Sequence, residues 1–314
     1  MQMKLADNIG RALADVAERD PRVFVLDGDL ADSDGAIHFA QQHPQRFLMA
    51  GIAEQGMVST AAGMADVGLR PWVFSFAAFL CYRAFDQVRI CLSQSKQPVT
   101  LVGSHAGGLS GRNGKTHAAP NDLALMLSLP NIAIWAPVDH HDVRLAIAGI
   151  LAGDTPAYIR TPRARFDDND NLPGEPSSMR WIAPKRPTTI VATGLATRWA
   201  FDAVKALAAD GVQVGLLHLP CMRPLPAVEH ALDGVETIIV VEDHSRFGGL
   251  ASLLSMRLPQ RPLYNFGWPV DFCGKSGPDE TLLLHYGLDG ASLATAIGAL
   301  ESRRTVPEPE QESV

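Results

Sequence analysis

Three side chains in this sequence are of types and in settings that could do acid–base work: Glu54, His105 and His117. Glu54 lies in Met49-Ala50-Gly51-Ile52-Ala53-Glu54-Gln55-Gly56-Met57, where the apolar run Arg46-Phe47-Leu48-Met49 gives way to a small, apolar stretch at 58–65. The first run reads as a buried strand and the second as a closely packed helix. A carboxylate at such a junction is poorly solvated, so its pKa is expected to rise and its hydrogen-bonding partner to matter. The plain alternative is a helix N-terminal glutamate favoured by the helix dipole. His105 and His117 fall within Ser104-His105-Ala106-Gly107-Gly108-Leu109-Ser110-Gly111-Arg112-Asn113-Gly114-Lys115-Thr116-His117, a glycine-rich loop able to approach a ligand closely. Imidazoles suit proton transfer because their ordinary pKa is near neutrality; the alternative for either is a loop histidine without a role.

The elements that must position these groups alternate in type. Residues 5–17 form an amphipathic helix, and Val23-Phe24-Val25-Leu26 is a continuous apolar strand of the kind covered on both faces. That strand empties into Asp27-Gly28-Asp29-Leu30, a turn at a carboxyl end, where open α/β sheets place ligands; Asp29 joins the cofactor-binding candidates. Further strands are predicted at 71–76, 99–103, 132–135 and 157–159 with helices between them, a pattern of mostly parallel sheet. The glycine-rich loop follows the 99–103 strand, so it belongs to the ligand edge.

From 167 to 187 the chain is acidic, then proline-rich, and reads as a linker. A second alternation follows, with strands at 189–192, 212–217 and 237–241 and helices at 198–208 and 247–258. The expectation is an α/β protein of two doubly wound domains, 1–166 and 188–304, with an acidic flexible tail at 305–314.

The chain has 314 residues, 46% of them hydrophobic and 19% charged, which fits two ordinary globular domains of a soluble enzyme. The net charge of −7 without a dense basic stripe argues against nucleic acid as a main partner. Neither a membrane-spanning run nor a signal-peptide pattern is read, so no membrane role is expected. Cys81, Cys91, Cys221 and Cys273 lack metal-site spacing and read as reduced thiols of a cytoplasmic protein.

The Gly51–Met57 segment, followed by Phe74-Ser75-Phe76-Ala77-Ala78-Phe79 and Arg83-Ala84-Phe85-Asp86-Gln87-Val88-Arg89, resembles the pyrimidine-binding domain of the transketolase family. The resemblance implies that Glu54 bonds N1′ of the aminopyrimidine ring of thiamine diphosphate, with Phe76, Phe79 and Tyr82 around that ring. Without it, these aromatics would be read as core. It also implies that His105 and His117 are the substrate-channel histidines, and that Ser33 and Arg160 grip the acidic end of a sugar. Asn113 stands where the family has an aspartate that contacts a donor hydroxyl. Arg112 and Lys115 also depart from the usual pattern, as does Ala6, where an arginine is expected. Arg163 and Arg165 could compensate for that missing arginine.

The segment Val241-Glu242-Asp243-His244-Ser245-Arg246-Phe247-Gly248-Gly249-Leu250 recurs across the family in similar form. Its glycines could open an anion site, but His244 is read as structural, in a domain implied mainly to support dimer contacts.

The resemblance covers a pyrimidine-binding and a C-terminal domain, without the preceding domain that holds Mg2+ and the cofactor diphosphate. The expectation is therefore the C-terminal subunit of a split transketolase in an α2β2 assembly with an N-terminal partner subunit, acting on small sugars; a fragment of a longer chain is the alternative. No metal ligand is assigned to this chain. Two rival readings are a pyruvate-using decarboxylating enzyme similar to deoxyxylulose-phosphate synthase, invited by the altered loop, and a non-catalytic regulatory paralogue.

Overall fold

The computed structural model describes residues 2–167 and 170–305. Of the predicted flexible tail, residues 306–314 lie outside the described residues, as do Asp168 and Asn169 of the predicted linker.

Seven strands form the first sheet, in the spatial order Cys221–Arg223, Ala133–Trp135, Ala157–Arg160, Thr100–Ser104, Arg70–Phe76, Val23–Asp27, Phe47–Met49. All neighbours run parallel except the Cys221–Arg223 pairing. Strand Val23–Asp27 has the next strand in sequence, Phe47–Met49, on one side and the following one, Arg70–Phe76, on the other. The connections therefore diverge there, and such a switch point leaves a crevice at the carboxyl ends of the strands. Asp29 follows Val23–Asp27, Glu54 follows Phe47–Met49, and Phe79 follows Arg70–Phe76, so all three reach one edge.

Helices cover both faces. Helix Leu5–Ala17 packs on His140–Leu151, and Glu54–Asp66 packs on Arg70–Phe76 from within a separate apolar cluster. Gly10 is required where the first helix meets the chain at Gly35, since a Cβ there would collide with the Gly35 carbonyl.

The second sheet has five strands, ordered Leu263–Trp268, Thr237–Ser245, Thr188–Thr193, Gly215–His218, Arg180–Ala183, all parallel except the last pair. Its three inner strands, Thr188–Thr193, Gly215–His218 and Thr237–Ser245, are buried along their whole length, which accounts for the apolar runs at 190–192, 216–217 and 238–241.

The structure departs from the sequence expectation in three places. Phe47–Met49 is an edge strand, and Leu48 and Met49 are 45% and 47% exposed rather than buried, because nothing pairs with or covers their outer side. Residues 180–183, read as linker, form a strand whose Arg180 is fully buried. Cys221–Arg223, although beyond that linker, returns to complete the first sheet and joins the two halves through backbone pairing.

A buried polar network also joins them. Asp139 accepts bonds from the amides of His141 and Asp142, capping helix His140–Leu151. Arg180 reaches Asp139 at 2.7 Å and Asp142 at 3.2 Å; Asp142 lies 2.8 Å from His218 Nε2, and His218 Nδ1 lies 2.7 Å from Thr197 Oγ1. Burial pushes the Asp139 carboxyl up, but Arg180 outweighs it and holds the group below the ordinary carboxylate range. Removing one partner of a buried pair leaves an uncompensated charge. Arg180→Ala should therefore lower the urea-unfolding free energy by about 3–5 kcal/mol. Arg22→Ala, which breaks the exposed pair with Asp20, should cost under about 1 kcal/mol in the same assay.

Candidate active site

Glu54 is the first residue of its helix and is 1% exposed. Its Oε2 accepts a 2.6 Å bond from Arg83 Nη1, and its Oε1 has a long 3.5 Å contact from Ser75 Oγ. The sequence reading expected this carboxylate's hydrogen-bonding partner to matter without naming it; the structure places the Arg83 guanidinium directly on it. The same guanidinium lies 4.4 Å from the centre of the Phe79 ring. Arg83 thus links the carboxylate to the aromatic group, a role that sequence reasoning missed, although the residue lies in the segment that carries the family resemblance.

Phe76 stacks on His105 at 4.0 Å and on Phe79 at 5.7 Å, and His117 meets Phe76 and Phe79 edge-on at 5.8 and 5.3 Å. Four expected site residues are therefore brought into one cluster. Tyr82 stands beside it, 44% exposed, with its hydroxyl accepting a bond from the Asn121 amide.

His105 is buried and has φ +55°, a conformation that is costly for a residue with a Cβ. Burial, then the charges of Lys4, Arg163 and His117, lower its pKa to about 3. It is a neutral imidazole at physiological pH, and its Nδ1 lies 3.3 Å from Ser104 Oγ. His117 is half-buried, with Nδ1 2.8 Å from Thr116 Oγ1.

Asp29, also at positive φ, and Ser33 line a cleft of about 280 Å³ with Ile37 and Met49. Lys4 Nζ donates to the Ser33 carbonyl at 2.7 Å. Beside the cleft lie two carboxyls that the sequence had not singled out, Asp27 and Asp34, both fully buried and hydrogen-bonded to each other through their side chains. Burial and the Asp27 charge push Asp34 well above the ordinary carboxylate range, and burial raises Asp27 too, as expected of two carboxyls sharing one proton.

Arg160 is not where a substrate-gripping residue must be. It is 4% exposed, with Nε and Nη2 donating to the two Asp122 oxygens at 2.8 and 3.1 Å and Nη2 also donating to the Asp243 carbonyl at 3.0 Å. A guanidinium bonded in this way is a structural tie. Three residues on, Arg163 is 43% exposed and lines a cavity of about 410 Å³ with Gly111, Arg112, Pro278 and Asp279. The exposed cations lining that cavity are Arg112 and Arg163; Asn113 and Lys115 are exposed on the same loop.

Glu54 Oε1, bonded only by that long contact, retains acceptor capacity, and it lies near a cluster of flat rings. That is a fit for a planar heteroaromatic group bearing a ring nitrogen. Among the described residues, no group of three or more His, Cys, Asp or Glu side chains could hold a metal ion. No helix among them is long and apolar enough to cross a membrane.

Comparisons with known proteins assign both halves of the chain to families. Residues 1–167 match the family "Transketolase, pyrimidine binding domain" and residues 179–293 match "Transketolase, C-terminal domain". The chain is 32% identical over 310 residues to the 6-deoxy-6-sulfo-D-fructose transketolase subunit SqwH of Clostridium sp. (strain MSTE9), covering 96% of this chain and 95% of that one. It is 30% identical to a 1-deoxy-D-xylulose-5-phosphate synthase of Caldanaerobacter subterraneus subsp. tengcongensis, covering 93% of this chain but 48% of the relative. A solved split-gene transketolase, described as an inactive beta4 tetramer, superposes with a TM-score of 0.81 at 30% identity, covering 95% of this chain and 98% of that one. Both halves of the molecule are accounted for, and the chain belongs to the transketolase family, whose members depend on thiamine diphosphate.

Proposed function

We propose that this chain is the C-terminal subunit of a split, thiamine diphosphate-dependent transketolase that moves a two-carbon ketol unit from an acidic ketose to an aldose. The observation that carries the reading is the buried Glu54 carboxylate beside the Phe76–Phe79–His105–His117 cluster, at the carboxyl edge of a parallel sheet. The pyrimidine-binding unit corresponds to 1–166 and the C-terminal unit, expected at 188–304, takes in strand Arg180–Ala183 as well.

When bound, the cofactor supplies the carbon acid and electron sink that the protein lacks. Glu54 holds a proton at the pyrimidine ring nitrogen through its free acceptor, while Phe76, Phe79 and Tyr82 enclose the ring. Arg83, on Glu54 and over the face of Phe79, would help hold the carboxylate in place for that ring. His105, neutral at working pH, would hydrogen-bond a substrate hydroxyl or carbonyl, and half-buried His117 would serve proton transfer on the acceptor side. Asp29 and Ser33 line the neighbouring cleft, and Asn113 lies on the loop at the substrate side.

Arg163 and Arg112 replace Arg160 as the residues that hold the acidic end of the sugar. The diphosphate and its Mg2+ would be held by an N-terminal partner subunit in an α2β2 assembly. Four free cysteines fit a reducing, cytoplasmic compartment.

A second reading, a decarboxylating synthase that takes pyruvate as donor, is favoured by the Arg112 and Arg163 cations in one cavity. A non-catalytic paralogue is the third; a Glu54→Gln chain that behaves as wild type would support it.

Calorimetric titration of thiamine diphosphate and Mg2+ should show binding to the chain mixed with an N-terminal partner and none to the chain alone. Tight binding to the isolated chain would overturn the split-site reading. In the assembled enzyme, Glu54→Gln should lower kcat by about 10²–10⁴-fold, the scale of a lost acid–base group. Arg163→Ala should raise KM for a phosphorylated ketose by about ten-fold, the loss of one charge-assisted contact, with little change for an uncharged ketose. Release of CO2 from pyruvate would favour the synthase instead.

A further inference from the structure

The positive φ of His105 needs an explanation, because a strained residue persists only where its surroundings fix it. Some of what fixes it comes from its own sheet: the Ala106 amide donates to the Thr161 carbonyl at 3.0 Å, and the Ala119 amide to the Gly107 carbonyl at 2.8 Å. The rest comes from the other half of the chain. Strand Thr237–Ser245 ends in Glu242-Asp243-His244-Ser245, and Asp243 Oδ1 accepts the Gly108 amide at 2.9 Å and the Trp268 indole N–H at 2.7 Å. Asp243 is 1% exposed and Trp268 fully buried, so neither bond is shared with bulk water.

The glycines of the loop fit the same contact. A Cβ at Gly107 would collide with the Asp243 carboxylate, and a Cβ at Gly108 with the Trp268 indole. Around this point the Ser245 amide donates to the Pro120 carbonyl at 2.7 Å, and the Ala124 amide to His244 Nε2 at 3.2 Å. The Gly248-Gly249 pair of the same segment is not an open anion site: Glu242 fills it, accepting the Leu250 amide at 2.6 Å at the start of helix Leu250–Arg257.

We propose that Asp243, braced by Trp268, is a positioning residue through which the C-terminal half sets the geometry of His105 by holding Gly108. Asp243 touches neither cofactor nor substrate in this role. The proposal rests on the transketolase reading for its kinetic consequence, but the hold on the loop itself is independent of that reading.

Two readouts separate the two. On the chain itself, Asp243→Ala should speed hydrogen exchange at the Gly108 amide by at least about ten-fold, as expected when a buried bond opens locally. His105 should then titrate by NMR well above the wild-type value of about 3, among the same neighbours Lys4, Arg163 and His117. Asp243→Asn, which keeps an oxygen for both donors, should retain most of the protection. In the assembled enzyme, Asp243→Ala should lower kcat by about 10–100-fold, the cost of a misplaced catalytic group, with cofactor affinity within about three-fold of wild type and recovery in Asp243→Asn.

Should Asp243→Ala fail to fold, Trp268→Phe, which removes the indole donor and keeps the stacking on Phe272, should give the same pattern in weaker form. Unchanged exchange and titration in these variants would overturn the proposal, as would equal loss of cofactor binding and turnover without rescue by asparagine. A wild-type assembly without ketol transfer would overturn the functional reading, and the exchange and titration results would still decide the role of Asp243.

Discussion

The Arg160 guanidinium is the contact on which the rest of the site depends. It ends an inner strand of the first sheet, closes a bidentate pair with Asp122 at the start of helix Asp122–Ser128, and bonds the backbone of Asp243 in the second sheet. Tyr158 adds its hydroxyl to the same Asp122 carboxylate at 2.7 Å. A buried charge is tolerated only when its bonds are complete, so this group cannot leave its partners to meet a ligand. The two sheets are thereby held at one geometry, and the histidine loop lies in the angle between them.

Around that tie the molecule separates charges that must stay fixed from charges that must be free. Arg160, Arg180, Asp122, Asp139 and Asp142 are buried in pairs and hold elements together. Arg83, Arg112 and Arg163 are exposed in part or in full at the carboxyl edge, Arg83 on Glu54 at 2.6 Å and Arg163 in a loose 3.8 Å pair with Asp279. The contrast between Arg160 and Arg163, three residues apart, is one of reach: one side chain points into the seam between the halves and the other into an open cavity.

The apolar surface beside the site fits an assembled enzyme. Leu48, Met49 and Ile52 are 45%, 47% and 74% exposed just before Glu54. Side chains of this kind next to a buried carboxylate suit a surface that another chain covers, in keeping with the proposed shared site.

The sequence by itself determined the fold class and the local elements. Helix Leu5–Ala17 and the buried parallel strands were legible because periodicity and continuous apolar runs report directly on burial. Glu54, His105 and His117 were legible as candidates from residue type and setting, and Phe76 and Phe79 only through the family resemblance. Tertiary structure alone decided which of them meet, because stacking among Phe76, His105 and His117 joins residues up to 41 positions apart. It alone decided that Arg160 is a tie and Arg163 is open, that Arg83 lies on Glu54, and that residues 180–183 and 221–223 are strands. Most of these are settled by a partner distant in the chain, and a local pattern carries no information about a contact whose other half is 29 to 83 residues away, as for Arg83 with Glu54 and Arg160 with Asp243.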